Sequence, residues 1–366
     1  MKYSSLYLDW YTHVLNLKYD FRSSGILPFR HNLMLGEVNL NANYGLYISQ
    51  MLAQRYNVKQ ENIFLSSDGA SGQNSRIIRY IAEKDKKKNE AIVEYPTYEP
   101  LLRQTQKNFP RIKRLERKEN ESFKLDADAL RKIVSEKTGL LVITNPHAPS
   151  GATAKKSELK EVMAVAHECG FYVLCDEIYA EFERDSIPTL FSVDDELGIV
   201  TTSFTKAYGL GGLKLGIALA DENIVNDLHA DLINTVGGAS NIVYLVAWEL
   251  LTKDREILEK HKQKWMSLKR ETEEWLNEKG FEFFRNKISI TYWMKTPIKD
   301  TYQWTNDHAI PRYSLAPVPG TFFLFKNNYE IVKSNMVRLG LGNLNPYSQI
   351  LQEALETLEK AIKTYC

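Results

Sequence analysis

Short apolar runs alternate with helical patterns through the first two thirds of this chain, and that alternation limits the folds open to it. Strand-like runs at 62–66, 91–94, 111–115, 139–144, 171–175 and 198–203 are separated by amphipathic patterns at 71–83, 98–107, 125–136 and 157–168, and a further strand is expected at 213–220. Strands joined by helical crossovers build an α/β sheet that is largely parallel. An earlier helix is expected over 45–56, where Leu46, Ile48, Met51, Leu52 and Tyr56 share one face and Asn57 ends the pattern. Residues 1–30 are aromatic-rich and read as an extended arm closing in the turn at 20–28.

After Ala220 the pattern changes. Helices at 223–232, 241–251 and 255–279 precede strand-like pieces at 281–284, 289–294, 322–325 and 336–339, and a last helix covers 347–364. The expected organisation is an arm (1–30), a large α/β domain (31–230) and a smaller α+β domain (231–366).

In an open α/β sheet, ligands bind where the chain leaves the carboxyl ends of the strands. In this chain those exits carry Asp68-Gly69-Ala70-Ser71, Tyr95-Pro96-Thr97-Tyr98, Asn145-Pro146-His147-Ala148-Pro149-Ser150-Gly151, Asp176-Glu177-Ile178-Tyr179 and Ser203 to Lys206. The chemistry of the chain therefore gathers on one edge.

Composition says what that edge does not serve. Lys plus Arg 47 against Asp plus Glu 46 gives a formal charge of +1, so nothing pulls the whole chain toward nucleic acid or an anionic membrane. A small-molecule partner is expected. Cys169, Cys175 and Cys366 have neither the number nor the spacing of a disulfide framework or a zinc site, so no metal is expected. The first residues lack a basic n-region and an apolar h-region, and no apolar run approaches the ~20 residues of a membrane span. A cytoplasmic location is the expectation.

Lys206 lies between an apolar run and the glycine-rich stretch Gly209 to Gly216. A lysine at the mouth of a sheet forms a Schiff base with a carbonyl compound when burial and nearby cations lower its pKa; taken alone, it also reads as a solvated loop lysine. The glycines that follow fit neither GxGxxG nor a P-loop.

Taken together, Asp-Gly-Ala-Ser, Tyr-Pro-Thr-Tyr, Asn-Pro-His-x-Pro-Ser-Gly, Asp-Glu-Ile-Tyr, Ser-x-x-Lys and the late Val337-Arg338-Leu339 resemble the pyridoxal-phosphate enzymes of class I/II, the aspartate-aminotransferase fold (fold type I), from about Tyr44 onward. The resemblance implies pyridoxal 5'-phosphate held by Lys206 as an imine, with Lys206 also carrying the proton of the reaction. Asp176 would sit beside the ring nitrogen and Tyr179 beside the ring hydroxyl, where an Asp after a strand is otherwise a helix cap. Gly69, Ala70, Ser71, Ser203 and Lys214 would form the phosphate cup and Tyr98 would stack on the ring, its other reading being core packing. Asn145 belongs to the same cofactor set. Arg338 would grip the substrate α-carboxylate, its other reading being a surface salt bridge. Tyr44, and with it Ser240, would reach the phosphate of a neighbouring subunit, which implies a homodimer.

Two positions depart from the family pattern. Lys214 stands where arginine is usual and lacks the bidentate fork, so looser phosphate anchoring is expected. Ala148 stands where the family has the asparagine that bonds the ring hydroxyl. The segment Arg22-Ser23-Ser24-Gly25-Ile26 also resembles, more loosely, the arm of capreomycidine synthase-like enzymes, which brings Ser24 and Gly25 toward the substrate. The expected activity is transfer of an amino group between an amino acid and a 2-oxo acid. The alternative is elimination, cyclisation or oxidation of an amino acid on the same scaffold, as in capreomycidine synthase-like enzymes and arginine oxidases. A non-catalytic regulator is disfavoured, since nothing basic or helix-turn-helix-like is appended.

Overall fold

A computed structural model of the chain describes residues 5–28, 39, 41–252, 255–286, 288–327 and 331–366. The expected boundary between residues 30 and 31 lies outside the described residues, as do the first four residues of the arm.

The larger sheet contains β2 (Ile63–Ser66), β3 (Glu90–Tyr95), β4 (Arg111–Glu116), β5 (Thr138–Thr144), β6 (Tyr172–Asp176), β7 (Gly198–Thr202) and β8 (Gly216–Leu219), in the order β2-β8-β7-β6-β5-β3-β4. All neighbours are parallel except β8, which runs antiparallel to both β7 and β2. Every residue of β5 and β7 is buried, as a strand covered on both faces requires, which is why they read as unbroken apolar runs. Alternate side chains point to opposite layers. Ile92, Leu141, Val173 and Val200 join Leu159, Val162 and Met163 of the helix Lys156–Cys169. Val93, Leu140, Leu174 and Ile199 join Ile77, Ile78 and Ile81 of the helix Gly69–Lys84. Together these layers make the α/β class expected.

The second sheet orders β1 (Tyr19–Phe21), β11 (Leu315–Pro319), β12 (Met336–Gly340), β10 (Thr291–Lys295) and β9 (Phe283–Phe284) as β1-β11-β12-β10-β9. Four expectations are corrected. The arm is not extended throughout: it opens with α1 (Leu6–His13), and β1 then pairs in parallel with β11. The strand expected at 322–325 is a 3-10 turn over Gly320–Phe323; the strand is instead the Leu-Ala-Pro-Val-Pro run before it, disguised by prolines that cannot donate to a ladder. The helix expected over 125–136 spans only Ala127–Ile133, capped by Asp126. The strand expected from 213 begins at Gly216, because Lys214 adopts a left-handed conformation (φ 57°). A helical stretch from Thr301 to Tyr313, with a π turn at Thr305–Ala309, had no counterpart in the sequence reading. Among the described residues, no helix is long and apolar enough to cross a membrane.

Two polar anchors fix the parts of this frame that surround the sheet edge. Glu99, directly after Tyr98, accepts from the Ser5 hydroxyl (2.6 Å) and from the amides of Leu6 (3.0 Å) and Tyr7 (2.7 Å), so the start of α1 is tied beside Tyr98. Buried Glu94 accepts from Arg117 Nη1 (2.9 Å) and from the Thr144 amide (2.8 Å) and hydroxyl (2.5 Å), joining the ends of β3, β4 and β5. Burial raises the Glu94 carboxyl while Arg117 opposes it. Arg117→Met leaves that carboxylate buried without its cation, so a loss of about 3–5 kcal/mol in unfolding free energy is expected in urea denaturation; a loss under about 1 kcal/mol would contradict this account.

Candidate active site

The carboxyl edge of the larger sheet opens into a cavity of about 450 Å³. Its floor is Lys206 and Asp176, its rim the start of the Gly69–Lys84 helix, and its far wall α1.

Asp176 is the last residue of β6 and is buried. One oxygen accepts from Asn74 Nδ2 at 2.7 Å and the other from the Ile178 amide at 3.0 Å; Asn74 is itself oriented by the Thr201 hydroxyl at 2.6 Å. Burial raises the Asp176 carboxyl, while Asn74, the Ile178 amide and Lys206 pull it back toward the ionised form.

Lys206 sits deep in the protein yet faces the cavity. Burial, with Arg338 next, lowers its amine to about 8; Asp176 opposes the shift and Lys214 adds to it. Lys206 Nζ donates to the Ser24 hydroxyl at 3.2 Å, and burial pushes up the phenol of Tyr179 while Arg338 opposes it. The Ile26 amide donates to the Lys206 carbonyl at 3.0 Å, docking the arm on the lysine. Gly25 is required there, since a Cβ would lie 2.7 Å from Lys206 Cδ.

The rim is formed by Gly69, Ala70 and Ser71 in the first turn of a 16-residue helix, the Gly69 backbone being left-handed (φ +73°) with its amide bonded to the Lys214 carbonyl at 2.7 Å. Free amides and the helix dipole make such a start receptive to anions. Lys214 lines the same rim; Asp68 does too, paired with Arg76 at 3.3 Å. Thr205 reaches the cavity, whereas Ser203 stands behind it, bonded to the Thr205 hydroxyl at 2.6 Å.

The remaining expected site residues are distributed unevenly. Tyr98 and Tyr179 line the cavity, as does Ala148. Asn145 does not; its side chain accepts from the Ala154 amide (2.9 Å) and contacts the Pro188 carbonyl (3.4 Å), holding the following turn instead. His147 in that turn is neutral, burial driving its pKa down; its Nε2–H donates to the Pro96 carbonyl (3.0 Å) while Nδ1 accepts from Ser150 (2.7 Å). Tyr44 lies away from the cavity, its ring 6.4 Å from that of Trp248, and the Ser240 amide donates to Ser67 Oγ. Arg338, in the middle of β12, is buried just beyond the cavity wall; Nη2 donates to the Tyr7 hydroxyl (3.0 Å) and the Arg22 carbonyl (2.6 Å), and among the described residues its Nε has no partner.

Sequence reasoning missed Tyr7, Leu8 and Tyr11 of α1, and also Thr205, Thr144 and Asn74. Asn74 carried a usable signal: it is a polar residue one turn before Ile77 and Ile78, on the buried face of its helix, where an amide needs a partner.

An amine near neutrality facing a buried carboxylate, beside an anion-receptive helix start, defines an enzyme that works through a carbonyl cofactor bearing an anionic group. The chain belongs to the aminotransferase class I and II family, whose model matches residues 44–343. It is similar to the histidinol-phosphate aminotransferase of Methanococcus aeolicus (24% identical over 217 residues, 59% of this chain and 56% of that protein). It is also similar to the aspartate aminotransferase of Pyrococcus abyssi (26% over 255 residues, 67% and 62%) and the aromatic-amino-acid aminotransferase 2 of Thermococcus litoralis (27% over 261 residues, 67% and 62%). The match thus spans between 56% and 62% of the length of these relatives. Among solved structures, a PLP-dependent aminotransferase from Streptococcus suis shares the fold with a TM-score of 0.76 at 24% identity, over 88% of this chain and 84% of that one. The aromatic aminotransferase of Pyrococcus horikoshii does so with a TM-score of 0.75 at 19% identity, over 88% and 86%.

The family implies pyridoxal phosphate as the cofactor, and the residues present fit it. The cavity supplies an amine at about 8, a hydrogen-bonded carboxylate and an anion-receptive rim.

Proposed function

We propose that this protein is a pyridoxal-phosphate-dependent aminotransferase that moves an amino group between an amino acid and a 2-oxo acid. The observation that carries the reading is the convergence of Lys206 and Asp176 on one cavity at the carboxyl edge of the sheet. When bound, pyridoxal phosphate supplies an electron sink that makes a bond at the amino acid Cα easy to break.

Lys206 would attach the cofactor and carry the proton at Cα, tasks that suit an amine brought to about 8. Asp176, drawn toward its ionised form by Asn74 and the Ile178 amide, would hold positive charge at the ring nitrogen. Tyr179 and Tyr98 line the cavity where they would hold the ring, Tyr179 at its hydroxyl and Tyr98 on its face. Gly69, Ala70, Ser71, Lys214 and Thr205 would take the phosphate, with Ser203 orienting Thr205. Arg338 would take the substrate carboxylate through donors that include its Nε, which has no partner among the described residues. Asn145 shapes the turn that carries Ala148.

We further propose a homodimer in which Tyr44 serves the neighbouring site. Leu46 and Tyr47 beside it, with Ile233, Val236 and Ile242, are exposed apolar residues that a second copy would cover. The three free cysteines suit the reducing cytoplasm, and the division into 1–30, 31–230 and 231–366 is kept as the working domain organisation. The aminotransferase names of the relatives weigh against elimination, cyclisation or oxidation.

Mixing the cofactor-loaded protein with amino acids one at a time is expected to bleach the visible band and release a 2-oxo acid, and added 2-oxo acid is expected to restore the band. Release of ammonia, peroxide or a cyclised product would overturn the reading.

A further inference from the structure

We infer that α1 recognises the substrate side chain, and that the site takes aromatic or large apolar amino acids and turns away dicarboxylic ones. The inference rests on the aminotransferase reading above.

Arg338 fixes the geometry. Its Nη2 lies 3.0 Å from the Tyr7 hydroxyl, so a substrate carboxylate held by Arg338 lies against Tyr7. Tyr7 in turn meets Tyr98 edge-on, ring centres 5.9 Å apart. The side chain of such a substrate extends along the same wall, toward Leu8 and Tyr11, which line the cavity one position and one helical turn further on. Leu8 is 41% exposed, an apolar side chain facing open cavity and costing free energy until something covers it. An aromatic or large aliphatic group covers it and packs against the tyrosine ring.

Arg22 is the cation of this wall, and it is already committed. Nε and Nη2 grip the two oxygens of Asp20, each at 2.8 Å, while Nη1 donates to the Tyr11 and Val14 carbonyls, each at 2.6 Å. Its guanidinium also stacks 4.7 Å from the Tyr11 ring centre. Asp20 neutralises the charge and the carbonyls use the donors, so a substrate side-chain carboxylate would lose its water with no fork to receive it. Among the described residues, the other cations lining the cavity are Lys206 and Lys214, which the aminotransferase reading places at the cofactor end.

The test is kcat/KM for phenylalanine, leucine, aspartate and glutamate as amino donors to the cofactor-loaded protein. Phenylalanine or leucine is expected to exceed both dicarboxylates by about 100-fold. Leu8→Ala is expected to lower kcat/KM for phenylalanine about tenfold more than for alanine. Asp20→Asn, which frees Arg22, is expected to raise the aspartate-to-phenylalanine ratio about tenfold, in protein that keeps its visible cofactor band. Wild-type protein that uses aspartate or glutamate as well as phenylalanine overturns the inference and leaves the aminotransferase reading intact. Protein that binds the cofactor but converts no donor overturns both.

Discussion

Lys206→Ala is expected to remove the visible absorbance that the protein acquires with pyridoxal phosphate and to lower turnover by on the order of 10⁴-fold, since one residue is both the covalent anchor and the proton carrier. Arg338 and Lys214 are too far committed to other duties to replace it: one is bonded to Tyr7 and the Arg22 carbonyl, the other belongs to the rim. The pH dependence follows from the same amine. Its pKa is lowered from 10.5 to about 8, so the unprotonated, nucleophilic form grows as pH rises through about 8. The rate at which apoprotein takes up the cofactor should therefore climb from pH 6 to pH 8 and level off above about 9. A rate still climbing in proportion to hydroxide up to pH 10 would mean that Lys206 titrates as an ordinary lysine. A variant that keeps both the band and the turnover would remove Lys206 from the chemistry altogether.

Asp176→Asn is expected to cost roughly 10³-fold in turnover, the size found when a preorganised electrostatic partner is removed from a closed site. The substitution is nearly isosteric, and its carbonyl can still accept from the Ile178 amide, so folding should be little changed. What it removes is negative charge. The neutral amide also faces the Asn74 amide group, which now donates to a carboxylate oxygen at 2.7 Å, so Asn74 must turn its carbonyl toward position 176 and reverse its bond with the Thr201 hydroxyl, which then accepts. Asp176→Glu keeps the charge but lengthens the reach in a buried position, and a smaller loss is expected. Full activity in Asp176→Asn, measured at saturating cofactor, would show that charge at this position is not used. The Asn74→Ala variant separates orientation from charge: it should lower turnover less than Asp176→Asn and shift its pH profile, because Asn74 helps keep Asp176 ionised.

The residues that lie at strand exits were legible because their positions follow from local pattern. Apolar runs buried on both faces, such as 139–144 and 198–202, announce a parallel sheet, and the polar turns that follow them fall at its carboxyl edge wherever the sheet closes. Gly69, Ala70, Ser71, Tyr98, Asp176, Tyr179, Lys206 and Lys214 all line the cavity for that reason. Asn145 sits on the same kind of turn, yet its side chain bends back to the Ala154 amide. A turn residue can face the ligand or its own loop, and spacing does not choose between them.

The arm shows a different limit. Its eight-residue helix is too short to be stable from propensity alone, so it forms because Glu99 receives its first amides and its aromatic side chains pack on Tyr98 and Phe322. Each partner lies about 90 or more residues away. The strand at Leu315–Pro319 was hidden likewise, since two prolines argue against a strand until β1 and β12 flank it.

By itself, then, the sequence determined the α/β class, the edge on which the chemistry gathers and the lysine at its centre, because strand, turn and helix signals are local. Tertiary structure alone decided that Asn74 orients Asp176, that Ser24 accepts from Lys206, that Arg22 is locked by Asp20 and that α1 walls the cavity beside Arg338. Most of these contacts join residues far apart in the chain, and the lock on Arg22 matters only because the fold carries it to the cavity wall. Which groups meet there is settled by how the two sheets and the arm pack.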